Sequence, residues 1–216
     1  MNVETFVAPG FAQNAYLAWA DGSDSAVAID PGGRAAEMLE RLAVRRLKLE
    51  AVLITHAHID HIEGVAPMVR ATGAPVYMHP DDDRLYRNVA VQAAQFGMRI
   101  ELPPPYDHKL THDQTLELAG LRFGVRHAPG HAPGHVLLYV ADAEAAFVGD
   151  VIFQGSIGRT DLPGGDFQQL MTSIREQVLT MPDHTTLYSG HGPTTTVERE
   201  RASNPFLVPD FGGRFA

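Results

Sequence analysis

The sequence predicts an α/β fold: two sets of short strands with helices between them. Three observations predict it. Short apolar runs bounded by Gly, Pro, Asn and Asp recur along the chain, the pattern of strands in a packed sheet. Segments with apolar residues on a helical period separate them. Each histidine-rich motif falls in a loop directly after an apolar run, where binding residues on rigid scaffolds usually sit.

Val3 to Val7, Ala15 to Ala20 and Ala26 to Ile29 read as strands, with turn chemistry at Phe11-Ala12-Gln13-Asn14 and Asp21-Gly22-Ser23-Asp24. Asp30-Pro31-Gly32-Gly33 stops the third strand. Arg34 to Leu47 carries Met38, Leu39, Leu42 and Leu47 on a helical period and reads as a helix. Ala51 to Ile54 is a fully apolar strand. Ile62 to Thr72 reads as one helix, Pro75 to Met78 as a strand, and Pro80 to Phe96 as helical with a break near Asn88. Pro103-Pro104-Pro105 is a stiff connector. Thr115 to Leu118, Arg122 to His127, Val136 to Val140 and Ala145 to Val148 read as strands. Phe167 to Thr180 is a helix with Asp166 as N-cap. Thr185 to Tyr188 is a short strand, and Thr195 to Ala202 a short helix.

Composition excludes several classes of function. The 216 residues suffice for a sizeable core, and 44% hydrophobic with 20% charged residues is ordinary for a soluble globular chain. The net charge of −9 and the lack of any Lys/Arg block argue against a nucleic-acid partner. No cysteine is present, which excludes disulfides, a thiolate nucleophile and sulfur-ligated metal. No run of about 18 apolar residues exists to span a membrane. The N-terminus lacks a basic and then apolar leader, so a cytoplasmic location is expected. Nothing in the sequence speaks to oligomeric state.

The run Thr55-His56-Ala57-His58-Ile59-Asp60-His61 packs three histidines and an aspartate into six residues. Gly130-His131, Gly149-Asp150 and Gly190-His191-Gly192 follow it. Eleven histidines make some clustering expected by chance, but a glycine beside each downstream histidine is harder to obtain that way. In an extended segment residues i and i+2 point the same way, so His56 and His58 can bind one ion together. His131 can complete that set. As a helix begins, Asp60 and His61 turn towards a second position, which His191 can join, and Asp150 is placed to bridge. Two divalent ions with a shared hydroxide are expected: zinc first, with iron or manganese tolerated. The hydroxide would attack a carbonyl, and Asp60 could orient it or take its proton. His135 reads as a neighbour of the site rather than a ligand, and His127 as a hydrogen-bonding support for a ligand. Asp30 reads as a turn or supporting residue. His79, His108, His112 and His184 read as solvated loop residues.

These residues resemble the metallo-β-lactamase superfamily signature, His-x-His-x-Asp-His followed by a lone His, a lone Asp and a final His. The resemblance runs from Asn14-Ala15-Tyr16 to Asn204-Pro205-Phe206. It implies an αββα sandwich with a dinuclear site at one edge, formed as one domain over residues 1–216 with a short tail from about residue 203. It implies that His56, His58 and His131 form the first metal site and that Asp150 bridges. Ala128 through His135, Gly149 through Asp161 and Ser189 through Pro193 look most similar to glyoxalase-II-like hydroxyacylglutathione hydrolases of the short bacterial form. That family hydrolyses S-2-hydroxyacylglutathione thioesters, typically S-D-lactoylglutathione, so a small glutathione-type thioester is the expected partner. The long form grips glutathione with a C-terminal helical domain, and about 25 residues after His191 are too few for it. Arg159, in a glycine-rich loop after Asp150, is the candidate for a glutathione carboxylate; pairing with Asp161 or Asp166 is the alternative. Persulfide dioxygenases look similar around Gly158-Arg159-Thr160-Asp161 and could use His56, His131 and Asp150 for one iron. They tend to carry cysteines where His135 and Asp166 stand. Lactonases of the same superfamily share the metal motif.

Overall fold

The structure, a computed structural model, describes residues 1–208. The expected tail from about residue 203 therefore falls largely outside the described residues. Two six-stranded sheets face each other. In the first, β1 (Asn2–Val7), β2 (Asn14–Trp19) and β3 (Ser25–Ile29) run antiparallel. Three parallel strands follow: β4 (Lys48–Leu53), β5 (Val76–Met78) and β6 (His108–Lys109). In the second, β7 (Thr115–Leu118), β8 (Leu121–His127), β9 (Val136–Val140) and β10 (Ala145–Gly149) form an antiparallel meander. A hairpin of β11 (Ile152–Phe153) and β12 (Ser156–Ile157) stands apart. β13 (Thr186–Ser189) then lies parallel to β10, with β14 (Thr195–Thr196) on its far side.

Successive residues of a strand face opposite ways, and β10 shows the consequence. Phe147 points between the sheets, where its ring meets Tyr16 at 5.3 Å and Tyr188 at 5.0 Å. Ala146 and Val148 point the other way, into a second apolar layer with Leu170, Met171 and Ile174. Those three lie on α6 (Phe167–Ser173) and the π-helical turn that continues it, Ile174–Val178. The outer face of the first sheet is covered by α1 (Ala35–Arg45) and by α3 (Val65–Thr72), through Met38, Leu42, Val65 and Met68. The order of layers is helix, sheet, sheet, helix.

The helix expected over 62–72 is two: α2 (Ile59–Ile62) and α3, broken at Glu63-Gly64. Gly64 donates its N–H to Pro31 O at 2.7 Å, so close that any Cβ there would collide with that carbonyl. The helical arm after β5 breaks at Asn88, between α4 (Asp83–Arg87) and α5 (Val89–Gln95), as the sequence suggests. The pairs β6, β11–β12 and β14 are only two residues long and carry no readable period. Asp166 caps α6 by accepting from Gln169 N at 3.0 Å. A final helix, α7 (Val197–Ser203), packs Val197 into the second layer. Among the described residues no helix is long and apolar enough to cross a membrane.

Candidate metal centre

Four strand ends meet at one edge of the sandwich. β4 leads into His56 and His58, β8 towards His131, β10 into Asp150, and β13 into His191; α2 carries Asp60 and His61. All seven sequence-predicted ligands are brought together. His56, His58 and His131 form one set of donors, and Asp60, His61 and His191 another, each set with its donor atoms within 4.8 Å of one another. In the first, His131 Nε2 lies 2.9 Å from His58 Nδ1 and 3.2 Å from His56 Nε2. In the second, Asp60 Oδ2 lies 3.2 Å from His191 Nε2 and 3.7 Å from His61 Nε2. Asp150 stands between the sets. Its Oδ2 is 3.5 Å from both His131 Nε2 and His191 Nε2, and its Oδ1 is 3.3 Å from His61 Nε2.

The outward ring nitrogens fix how these imidazoles present themselves. His131 Nδ1 donates to Arg159 O at 2.8 Å, and His191 Nδ1 to Phe11 O at 3.1 Å. His61 Nδ1 faces Asp30 Oδ2 at 3.0 Å. Thr55 Oγ1 donates its one proton to Asp30 Oδ2 at 2.6 Å, so at 3.1 Å it accepts from His56 Nδ1. Four rings thus carry hydrogen at Nδ1 and aim the Nε2 lone pair inward, the arrangement of metal-ligating histidines with oriented outer partners. The inward atoms His61 Nε2 and Asp150 Oδ1 are buried without a hydrogen-bond partner. Nitrogen and carboxylate donors converging on orphaned buried atoms fit divalent cations.

The charges point the same way. Burial, reinforced by neighbouring imidazoles, holds His56 well below the usual histidine range and His58 down at about 3. Burial also lowers His131. These three are neutral donors at pH 7. Burial would raise Asp150 and Asp60, but His61 and His191 beside them hold both carboxyls low. Burial would lower His61 and His191, yet Asp150 and Asp60 push His61 well up and His191 up to about 9. In the metal-free cluster the two carboxylates are thus balanced by protons on His61 and His191, a positive charge that divalent cations would replace.

Other sequence-predicted residues fall into place variously. Asp30 accepts from Thr55 N at 2.7 Å as well as Thr55 Oγ1 and His61, a supporting role. His135 is fully buried, stacks on His56, and accepts Asp150 N–H at 3.0 Å. Arg159 touches the site through its carbonyl, while its guanidinium forks onto Asp161 at 2.7 and 2.8 Å. Two expectations are corrected. His127 supports no ligand; its Nε2 donates to Pro133 O at 2.9 Å and its ring stacks on His79. His79 is 8% exposed, because β5 delivers it against the opposite sheet.

Two supports were not foreseen. Asp82, completely buried, accepts Ala57 N–H at 2.8 Å and Gly134 N–H at 2.6 Å. Gln92 of α5 accepts Ile59 N–H and donates to Ala57 O, both at 3.0 Å. Both act across 25 residues or more, and no local motif marks them.

Residues 8–191 match the metallo-beta-lactamase superfamily. Over 209 residues the chain is 37% identical to "Hydroxyacylglutathione hydrolase GloC" of Haemophilus influenzae, covering 96% of this chain and 98% of that protein. Among solved structures, the BLEG-1 B3 metallo-beta-lactamase superposes with a TM-score of 0.90 at 38% identity, covering 96% of this chain and all of the other. TTHA1623 in a di-iron-bound form superposes at 0.87 with 39% identity, over 94% of this chain and all of that one.

Proposed function

The chain belongs to the metallo-beta-lactamase superfamily and is a metallo-hydrolase of it, and from that premise we propose that it cleaves S-2-hydroxyacylglutathione thioesters of the S-D-lactoylglutathione type. The observation that carries the hydrolytic chemistry is the meeting of two three-donor sets at Asp150. The similarity to the Haemophilus influenzae hydroxyacylglutathione hydrolase supports the choice of substrate. Both sheets supply ligands to this one site, which supports reading residues 1–216 as a single domain. We assign zinc as the metal and the cytoplasm as the location; the di-iron form of TTHA1623 makes iron the first alternative to test.

His56, His58 and His131 would hold one ion, and Asp60, His61 and His191 a second, with Asp150 shared. When bound, such a pair supplies a water of near-neutral pKa and a Lewis acid for a carbonyl oxygen. The chain's own groups orient and deprotonate. Asp60, held ionised, would use the carboxylate oxygen not given to the ion to accept a water proton and orient the water towards the substrate. Asp30 keeps the proton of His61 on Nδ1 and so keeps Nε2 inward. The thiolate needs no general acid to leave, because a free thiol has a pKa of about 8.5. Substrate approaches past His191, whose side chain is 26% exposed, between the Phe11 backbone and the Phe153 ring 5.9 Å away. Arg159, now paired with Asp161, would exchange that partner for a glutathione carboxylate.

The test is turnover of S-D-lactoylglutathione by purified protein, with metal content determined on the same sample. Thioester cleavage with about two metals per chain is expected. Cleavage of a β-lactam or a lactone instead, or oxygen consumption on glutathione persulfide with one iron, would overturn the substrate assignment.

A further inference from the structure

We propose that His79, Asp81 and His127 form a second, separate binding site for one divalent transition metal of the zinc class, at the rim of the sandwich. The three donors come from both sheets. His79 directly follows β5, Asp81 lies in the turn after it, and His127 ends β8. One donor atom from each lies within 4.8 Å of the others, and His79 Nδ1 is 3.8 Å from Asp81 Oδ2.

The hydrogen bonding prepares both imidazoles as ligands. His127 Nε2–H donates to Pro133 O at 2.9 Å, which leaves the Nδ1 lone pair free. This repeats the pattern of His131 and His191, where an outward ring N–H on a backbone carbonyl aims the other nitrogen at the metal centre. His79 Nδ1 accepts Asp81 N–H at 3.3 Å, a long hydrogen bond that caps the turn, and an ion there would take over this lone pair. Burial and the neighbouring His127 also hold His79 below its ordinary range, which keeps it neutral at pH 7.

The two rings are stacked with centroids 4.1 Å apart and planes 9° from parallel. Ligand atoms around a tetrahedral zinc with bonds of about 2.0–2.1 Å stand roughly 3.3 Å apart, so the site must draw in. Asp81, whose side chain is 58% exposed and whose carboxylate pairs with His79, can move inward, and the two rings must tilt out of their stacked planes for both lone pairs to meet one ion. Two imidazoles and one carboxylate suit zinc better than magnesium or calcium, which prefer all-oxygen sites. An ion there would fasten β5 to β8 one residue from Asp82 and four from His131. It would brace the loops of the main centre without touching its ligands.

The experiment titrates metal-free protein with Zn²⁺ against a chromophoric chelator. Wild type is expected to bind a third equivalent more weakly than the first two. Asp81→Ala, at a position whose side chain is 58% exposed, should weaken the third equivalent at least tenfold, and His127→Ala should abolish it. The first two should be unchanged in both. Binding of only two equivalents by wild type would overturn the proposal, as would a third that survives both substitutions or is lost only in His112→Ala. The result does not depend on which thioester, if any, the protein cleaves.

Discussion

The carboxylate of Asp82 accepts the N–H of Ala57, the residue between His56 and His58, at 2.8 Å. Its other oxygen holds Gly134 N–H in the loop that carries His131. One buried side chain thus sets the spacing of two ligand-bearing loops from different sheets. In Asp82→Ala both N–H groups would be buried without a partner, at about 1–3 kcal/mol each. The expected outcome is a loss of about 2–6 kcal/mol in urea unfolding, with metal affinity down by about 10–100-fold. Unchanged metal affinity in a folded Asp82→Ala protein would show that the loops hold their spacing without it.

Burial pushes the Asp82 carboxyl from 3.8 up to about 6, against the pull of its two backbone N–H bonds. A folded value above the unfolded one means that protonation favours the fold. The contribution is full below about pH 4 and is lost as the pH rises through 6. Two pKa units correspond to about 3 kcal/mol. Metal-free wild type should therefore lose about that much stability between pH 4 and 7 relative to Asp82→Asn. Urea midpoints for the two proteins across that range provide the check, and parallel profiles would refute it.

His58→Ala removes one of three converging nitrogens at a site that adds little to the apolar core. Turnover should fall by about a hundredfold or more, with the metal-free protein within about 1 kcal/mol of wild type. Metal analysis and steady-state kinetics on one preparation measure both. Intact turnover would exclude this set from the chemistry.

Gly190 precedes the last ligand for a steric reason. A Cβ there would collide with Asp150 Oδ1 and press on His61 Cε1. Gly190→Ala should therefore lower metal stoichiometry while leaving far-ultraviolet circular dichroism unchanged. Full occupancy in the variant would mean that Asp150 can shift without cost.

Arg159 supplies its carbonyl to His131 whatever its side chain does. Arg159→Ala should thus keep kcat within about twofold and raise KM for S-D-lactoylglutathione about fivefold. A drop in kcat with KM unchanged would mean that the side chain acts by holding the loop whose carbonyl meets His131, and not by gripping the substrate.

The ligand set was legible because three of its four segments carry their own signal: a histidine beside a glycine at a strand end, or the dense run His56 to His61. The strands were legible where an apolar run of four residues or more lay between turn residues, as in β2 and β9, or where buried and outward residues alternated, as in β8. Asp82 was not, because it sits among Asp81 and Asp83 and only the fold separates a buried carboxylate from two outward ones. His79 was misread for the same reason: its burial depends on β8, which lies some 40 residues on in the sequence. The break at Gly64 follows from Pro31 O, again a partner supplied from another element.

His191 is tied to the loop between β1 and β2, through Phe11 O and a β-bridge to Gln13. A growing polypeptide makes that loop first and its partner nearly last. Asn14 and Tyr16 of β2 hold the same segment through Gly190 O, Ser189 O and Gly192 O. The second donor set is thus closed by the two ends of the chain meeting, whereas the three-nitrogen set draws on neither end.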